Sequence, residues 1–391
     1  MMDTLLQENL LLDKTGWILV KFGEVVFEPK ESTKDPHADG IEHVVGLEHI
    51  ESENIHLTNS ATLEESTTFT KKFSVGDVLF GRRRAYLKKA AQASFNGICS
   101  GDITVFRTNE KLLADLLPFV VSNERFFEYA VKHSAGGLSP RVKFKDLANY
   151  EFLLPPLNIQ NQLLKVFKSL DTVLLRNKKL KEQLEGYSFS VFENIISNNY
   201  NEGGMDWTEF KKCKLNKILS IPEKIKEPNI DKEQILSVRL HLKGVVKNQN
   251  VDGLKIGSTT YYKRKKGQFI YGKQNLFNGA LGIVPVELDG FLSSSDIPAL
   301  DINTGKVIPS YLMYYFGREK FYKYLEKHSS GSGSKRIGEK KLLELEMILP
   351  EFQEQQEIVD IMSKHSDAIL NCENKIIKTQ SLQKSIMNQI F

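Results

Sequence analysis

Cysteine is scarce: Cys99, Cys213 and Cys372 are the three in a chain of 391 residues. They lie too far apart for a metal knuckle or a redox pair, which excludes a disulfide framework and points to reduced thiols in a cytoplasmic protein. No apolar run is long enough to cross a bilayer, so no membrane partner is expected. The opening MMDTLLQENLLLDK is acidic, with no basic region ahead of an apolar one, and does not read as a secretory signal.

Catalytic signatures are missing as well. No Gly-x-x-x-x-Gly-Lys-Ser/Thr loop is present to cradle phosphates; SSGSGSKRIGEKK (329–341) is glycine-rich and basic but lacks that spacing. The Asn/Asp-Pro-Pro-Tyr/Phe stretch with which an amino-methyltransferase grips adenine does not occur, and LPPL (154–157) reads as a helix start. Gly-x-Ser-x-Gly, His-Glu-x-x-His and Pro-Asp are absent, and the eight histidines form no ligand cluster. His365 and Cys372 are zinc-ligand types, but two alone read as packing residues. The isolated chain is therefore expected not to be an enzyme and to hold no metal.

What is present is a soluble globular composition, 41% apolar and 26% charged, with a net charge of +4. The charge is uneven. Residues 16–155 carry 17 basic against 19 acidic side chains, whereas residues 205–349 carry 25 against 16. The second segment can attract a polyanion as a body, the first only through a local cluster. GDVLFGRRRAYLKKAA (76–91) is such a cluster.

The sequence also repeats itself. Shifting residues 326–362 back by 195 lays His328-Ser329 on His133-Ser134, Arg336 on Arg141, Leu349-Pro350 on Leu154-Pro155 and Gln355 on Gln160. Upstream, GQFIYGKQNLF (267–277) matches GDVLFGRRRAY, and LDGFLSSSDI (288–297) matches FNGICSGDI (95–103). Trp17 and Trp207 open the two copies. Each copy holds short apolar runs bounded by Gly, Asn and Asp, such as DVLFG, DITVFR, QFIYG and GIVPV, which predict strands. An amphipathic helix follows in each (residues 116–134 and 309–329), then a Gly/Ser loop.

A long helix is predicted after each unit, opened by Pro155-Pro156 and by Pro350, where a missing N–H is harmless. Val166, Leu170, Val173, Asn177, Leu180, Leu184, Tyr187 and Val191 recur at alternating spacings of four and three, the mark of a coiled-coil seam. In the second helix Ile358, Met362, His365, Ile369, Cys372 and Ile376 do the same, with a slip before Leu382, Ile386 and Ile390. Asn177 is either a register-setting residue or a tolerated half-exposed one. The expected fold is α+β: two mixed α/β domains (1–155 and 201–349) separated by two long antiparallel coiled-coil helices (156–200 and 350–391), with pseudo-two-fold symmetry.

The order of domain, helix opened by LPPLNIQNQ, domain, and helix opened by LPEFQEQQ resembles the specificity subunits of type I restriction–modification systems. LFGRRRAYLKKAA, FNGICSGDI and the paired GLSPRVKFKDL and GSGSKRIGEKKL strengthen the likeness, which covers nearly the whole chain. The resemblance implies two target recognition domains, each reading half of a split, asymmetric site on double-stranded DNA in host defence. It implies two methyltransferase subunits docked on the helices and two ATP-driven restriction subunits. S-adenosylmethionine, ATP and Mg would then belong to those partners, and no cofactor to this chain. A related system with fused methylase and nuclease is one alternative; a scaffold bridging two proteins without DNA is another.

Under this reading Arg82, Arg83 and Arg84 contact DNA with Tyr86, Lys88 and Lys89. One arginine would read a guanine edge while the remaining cations hold phosphate; the competing reading is a solvated loop with Tyr86 in the core. The second unit lacks the arginine run and offers Lys263, Arg264, Lys265 and Lys266, then Lys273, Gln274 and Asn275. The paired glycine loops add Ser139, Arg141 and Lys143 in one copy and Ser334, Lys335 and Arg336 in the other, as phosphate ligands or as structural turns.

Overall fold

The computed structural model describes residues 13–63, 68–197, 210–250, 259–330 and 335–391; Trp207 and Ser334 lie outside them. Two compact units emerge, Met1–Lys179 with Cys372–Phe391, and Leu180–Asn371. The described helices of four or more residues are α1 (Leu117–Val121), α2 (Glu124–Lys132), α3 (Phe144–Leu147), α4 (Leu157–Ile196), α5 (Pro309–Phe316), α6 (Glu319–Lys327), α7 (Glu339–Leu343) and α8 (Phe352–Ile390).

Both units follow one plan. In the first, Ile18–Lys21 pairs antiparallel with Glu151–Leu154, and a four-stranded sheet runs Val26–Phe27, Ile103–Thr108, Val78–Gly81, Ala90–Gln92. In the second, Lys211–Lys214 pairs with Glu346–Leu349, and the sheet runs Leu219–Ser220, Ala299–Ile302, Phe269–Tyr271, Leu281–Ile283. The outer layers differ. The first unit adds a four-stranded sheet of Ala61–Thr62, His43–Val45, Gly97–Cys99 and Lys71–Phe73, whereas the second has two separate pairs.

Aromatic packing fills each core. Phe22, Phe80, Phe106 and Phe126 are wholly buried in the first unit, as are Phe269, Tyr271, Tyr311 and Phe316 in the second. Each such ring contributes roughly 1.5–3 kcal/mol through burial. Burial also raises the Cys99 thiol to about 12, leaving it an inert core residue.

The helix expected over 116–134 is two. Asn123 breaks it: its buried amide donates to the Val120 carbonyl at 2.7 Å and accepts the Phe126 N–H at 2.8 Å, capping α2. The helix expected over 309–329 divides likewise into α5 and α6 at Gly317-Arg318, where the Arg318 guanidinium lies 3.8 Å from the centre of the Tyr315 ring.

The Leu-Pro-x-x-x-x-Gln openings have a shared structural cause. Gln160 donates to the Lys111 and Pro155 carbonyls at 2.8 and 2.9 Å and accepts the Leu113 N–H at 3.0 Å. Gln355 donates to Lys306 and Pro350 at 3.0 and 2.9 Å and accepts Ile308 N–H at 2.9 Å. Each buried amide thus ties the first turn of a long helix to the loop before α1 or α5.

The buried stripe of α4 departs from the expected seam. Leu170, Asn177, Leu184 and Val191 do face inward, but the positions between them are Phe167, Leu174, Lys181 and Ser188. Val166, Val173, Leu180 and Tyr187 are exposed instead. Asn177 sets no register through its amide, which donates to the Val173 carbonyl of its own helix at 2.8 Å. Along α8 the four–three spacing continues without a slip, because Thr379 and buried Gln383 occupy it with polar side chains. His365 stacks on Tyr187 and Cys372 is buried, both as packing residues.

Each long helix serves both cores. In the first unit Leu163 and Phe167 of α4 join Met387 and Ile390 of α8; in the second Phe192 and Ile195 join Ile358 and Met362.

Candidate nucleic-acid interface

The arginine cluster and the glycine loop, whose bonded residues are 56 to 60 apart in sequence, are one structure. Gly81 ends its strand, and Arg82 N–H donates to the Asp102 carbonyl at 3.0 Å while its own carbonyl accepts Val142 N–H at 3.1 Å. Arg84 N–H bonds the Pro140 carbonyl at 2.8 Å, and Ala135 and Arg141 exchange two backbone bonds of 3.0 and 2.9 Å. Arg84 and Lys88 are left-handed, φ 54° and 51°, around the turn Ala85–Leu87. Such strain persists only where neighbours fix it, as that bond to Pro140 does here.

The second unit repeats the ladder. Lys273 N–H donates to the Asp296 carbonyl at 2.9 Å, Ile337 N–H to the Lys273 carbonyl at 3.0 Å, and Ser330 and Arg336 exchange bonds of 3.0 and 2.9 Å. His133 and His328 each hold the carbonyl four residues back, of Tyr129 and Tyr324, at 2.8 Å through Nδ1.

The predicted residues divide into available and committed groups. Arg84, Tyr86 and Lys143 are exposed, and no carboxylate among the described residues pairs with either cation. Tyr86, at 54% exposure, does not lie in the core, which removes the competing reading of this residue. Arg82 turns its Nε to the Val142 carbonyl at 3.2 Å. Arg83 bonds Asp102 at 3.3 Å and Ser139 Oγ at 3.1 Å. Arg141 spends Nε and Nη2 on Asp102 and Nη1 on the Ser139 carbonyl at 3.4 Å. Lys88 lies in an ion cluster with Glu124 at 2.6 Å, Glu53 and nearby Lys384, and Lys89 donates to the Leu47 carbonyl at 2.7 Å. Lys88 and Lys89 are thus occupied by the protein itself.

In the second unit Lys265, Lys266, Gln274 and Asn275 are exposed. Lys263 pairs with Glu227 at 2.8 Å, Lys273 with Glu339 at 3.3 Å, and Lys335 with Glu326 at 2.7 Å. Arg264 is a correction. It is 4% exposed and donates to Ser293 Oγ at 2.6 Å and to the Ile297 carbonyl at 3.1 Å, and burial lowers its pKa to about 10. It braces the strand pair Tyr261–Lys263 and Leu292–Ser294 from inside and faces no partner.

Two residues escaped the sequence reading. Asp102 and Asp296 hold Arg141 and Arg336 at matching places. The paired Ser-x-Asp-Ile endings were visible; that an acid could organise a basic surface was not.

Fold and loops define a class: a duplicated α+β protein with a cationic loop ladder on each unit and a long helix after each. The chain belongs to the type I restriction modification DNA specificity domain family, whose sequence profile matches residues 21–186 and 247–379, more than half of it. It is similar to the type I restriction enzyme EcoDI specificity subunit of Escherichia coli, 28% identical over 116 residues. That stretch is 28% of this chain and 26% of the relative. The S subunit of the type I restriction–modification system of M. genitalium shares the fold over 97% of both chains, with TM-score 0.54 and 13% identity. So does a chain solved in work on assembly and conformational transition of a type I R-M system, over 96% of both, with TM-score 0.57 and 18% identity.

Proposed function

We propose that this chain is the non-catalytic sequence-reading subunit of a type I restriction–modification complex, working in the cytoplasm on double-stranded DNA. Each unit reads one half of a bipartite site. The observation that carries this reading is the ladder built twice with different exposed side chains beside it: Arg84 and Lys143 in one unit, Gln274 and Asn275 in the other. A shared frame with unlike contacts suits two unlike half-sites, so the site need not be palindromic. The buried four–three spacing along α4 and α8 supports reading them as an antiparallel coiled coil.

Outward faces of these helices dock two methyltransferase subunits, and two restriction subunits complete the assembly. Val166 and Val173, seven residues apart on the part of α4 in the first unit, are 46% and 45% exposed, an apolar line suited to a partner helix. S-adenosylmethionine, ATP and Mg are bound by those partners. Methylation mapping of DNA from a host carrying the whole system gives the site. Titration of the chain against a duplex bearing that site and a scrambled duplex then tests the reading. Preference for the site, with affinity falling steeply as salt rises, is expected. Equal binding to both duplexes, or none, contradicts it.

A further inference from the structure

Leu138 is 98% exposed, the most exposed large hydrophobic side chain among the described residues. It does not sit on a slack loop. The paired bonds between Ala135 and Arg141 close the turn that carries it, the Pro140 carbonyl is held by Arg84 N–H, and Ser139 Oγ by Arg83. Gly136, at φ +113°, supplies a backbone conformation that an L side chain rarely adopts. The protein thus fixes an apolar tip in water, which folding alone gives no reason to do. On the same ladder stand Arg84 and Lys143, exposed cations without a carboxylate partner among the described residues, which suit a phosphate backbone, not an apolar partner protein.

An apolar tip beside exposed cations has the composition of a side chain that enters a base step while its neighbours hold the strands. We propose that Leu138 is a wedge that enters the first half-site at a base step and unstacks it, an inference that rests on the DNA-reading function above. Wedging gives specificity through the sequence dependence of unstacking, without hydrogen bonds to base edges. The second unit has Gly333 at the corresponding place in the repeat, so only one half of the site would be unstacked.

The test uses the full chain and duplexes carrying the mapped site, with 2-aminopurine replacing each adenine in turn. Fluorescence should rise at one position of one half-site on binding of the unaltered chain. Leu138→Ala should abolish that rise and reduce preference for the site over the scrambled duplex roughly tenfold, the scale of one lost base discrimination. Leu138→Met should restore much of both. The slope of affinity against salt should not move, because no phosphate contact is lost. No rise at any position, or a rise that survives Leu138→Ala, overturns the wedge. Should the unaltered chain show no preference for the site, it is the DNA-reading function that fails. Because Leu138 is exposed, its variants should melt with the unaltered chain, which separates lost wedging from lost folding.

Discussion

Arg141 and Asp102 are joined by two hydrogen bonds, Nε to Oδ1 at 2.7 Å and Nη2 to Oδ2 at 3.3 Å, and Arg336 repeats the bond to Asp296 at 3.1 Å. Asp102 also takes Arg83, so one carboxylate restrains two cations of the proposed DNA surface. An arginine held this way keeps its direction but not its freedom to seek phosphate. Asp102→Asn should therefore strengthen binding to scrambled DNA and weaken the preference for the site. The salt slope should steepen by about one for each phosphate newly held. Binding isotherms over a salt series measure both, and unchanged isotherms would remove the restraint from the account.

The same pair sets an acid limit. The hydrogen bond from Arg141, before any other influence, holds the Asp102 carboxyl below its ordinary 3.8. A carboxylate depressed in the folded state contributes its stability above the unfolded value and loses it as pH falls through the folded one. Hydrogen exchange at the Ala135 and Arg141 amides should thus be flat through neutral pH. Protection should fall only below about pH 4, and in Asp102→Asn that acid step should vanish.

Arg84 and Lys88 stand four residues apart and are expected to behave oppositely. Arg84 is exposed without a carboxylate partner among the described residues, whereas Lys88 is committed to Glu124. Arg84→Ala should weaken recognition of the first half-site only. Lys88→Ala should leave DNA binding intact and shift stability by about 1 kcal/mol or less, as partly solvated ion pairs do. Methylation mapping with half-site variants separates the two; equal loss at both halves would contradict the assignment of Arg84 to one head.

Gln160 and Gln355 carry the repeat's most local prediction. Gln160→Ala strands a buried N–H and two carbonyls, with a penalty of about 1–3 kcal/mol for each group that water cannot reach. Denaturant melts should show the first unit losing stability alone, and Gln355→Ala the second alone. A uniform shift of both would mean that the two units do not unfold separately.

How far the sequence spoke can be judged at these residues. The duplication, the helix starts and the strand ending at Gly81 were legible because glycine, proline and a fixed repeat shift leave marks on one dimension. Pairing of the arginine run with the glycine loop was not, since a ladder across 56 to 60 residues has no local signature. Arg264 misled because a guanidinium inside a protein spells the same letter as one outside; only the partners Ser293 and Ile297 tell them apart. The α4 seam was half right. Leu170 and Leu184 stood out, but Lys181 and Ser188 facing inward defeat any count of apolar positions.

That displaced seam bears on how docking should be tested. Removing α8 at Leu349 is a poor experiment, because Ile358 and Met362 complete the second core and Met387 and Ile390 the first. Loss of partners would then follow from unfolding. Val166 and Val173 are the better probes, being in the first unit and 46% and 45% exposed. A double change to aspartate places charge on the apolar line without opening a cavity, so melting and DNA binding by the isolated chain should persist. Binding of methyltransferase subunits, measured by native mass spectrometry, should fall from two copies to fewer. Two copies retained at full affinity would show that the line is not their dock.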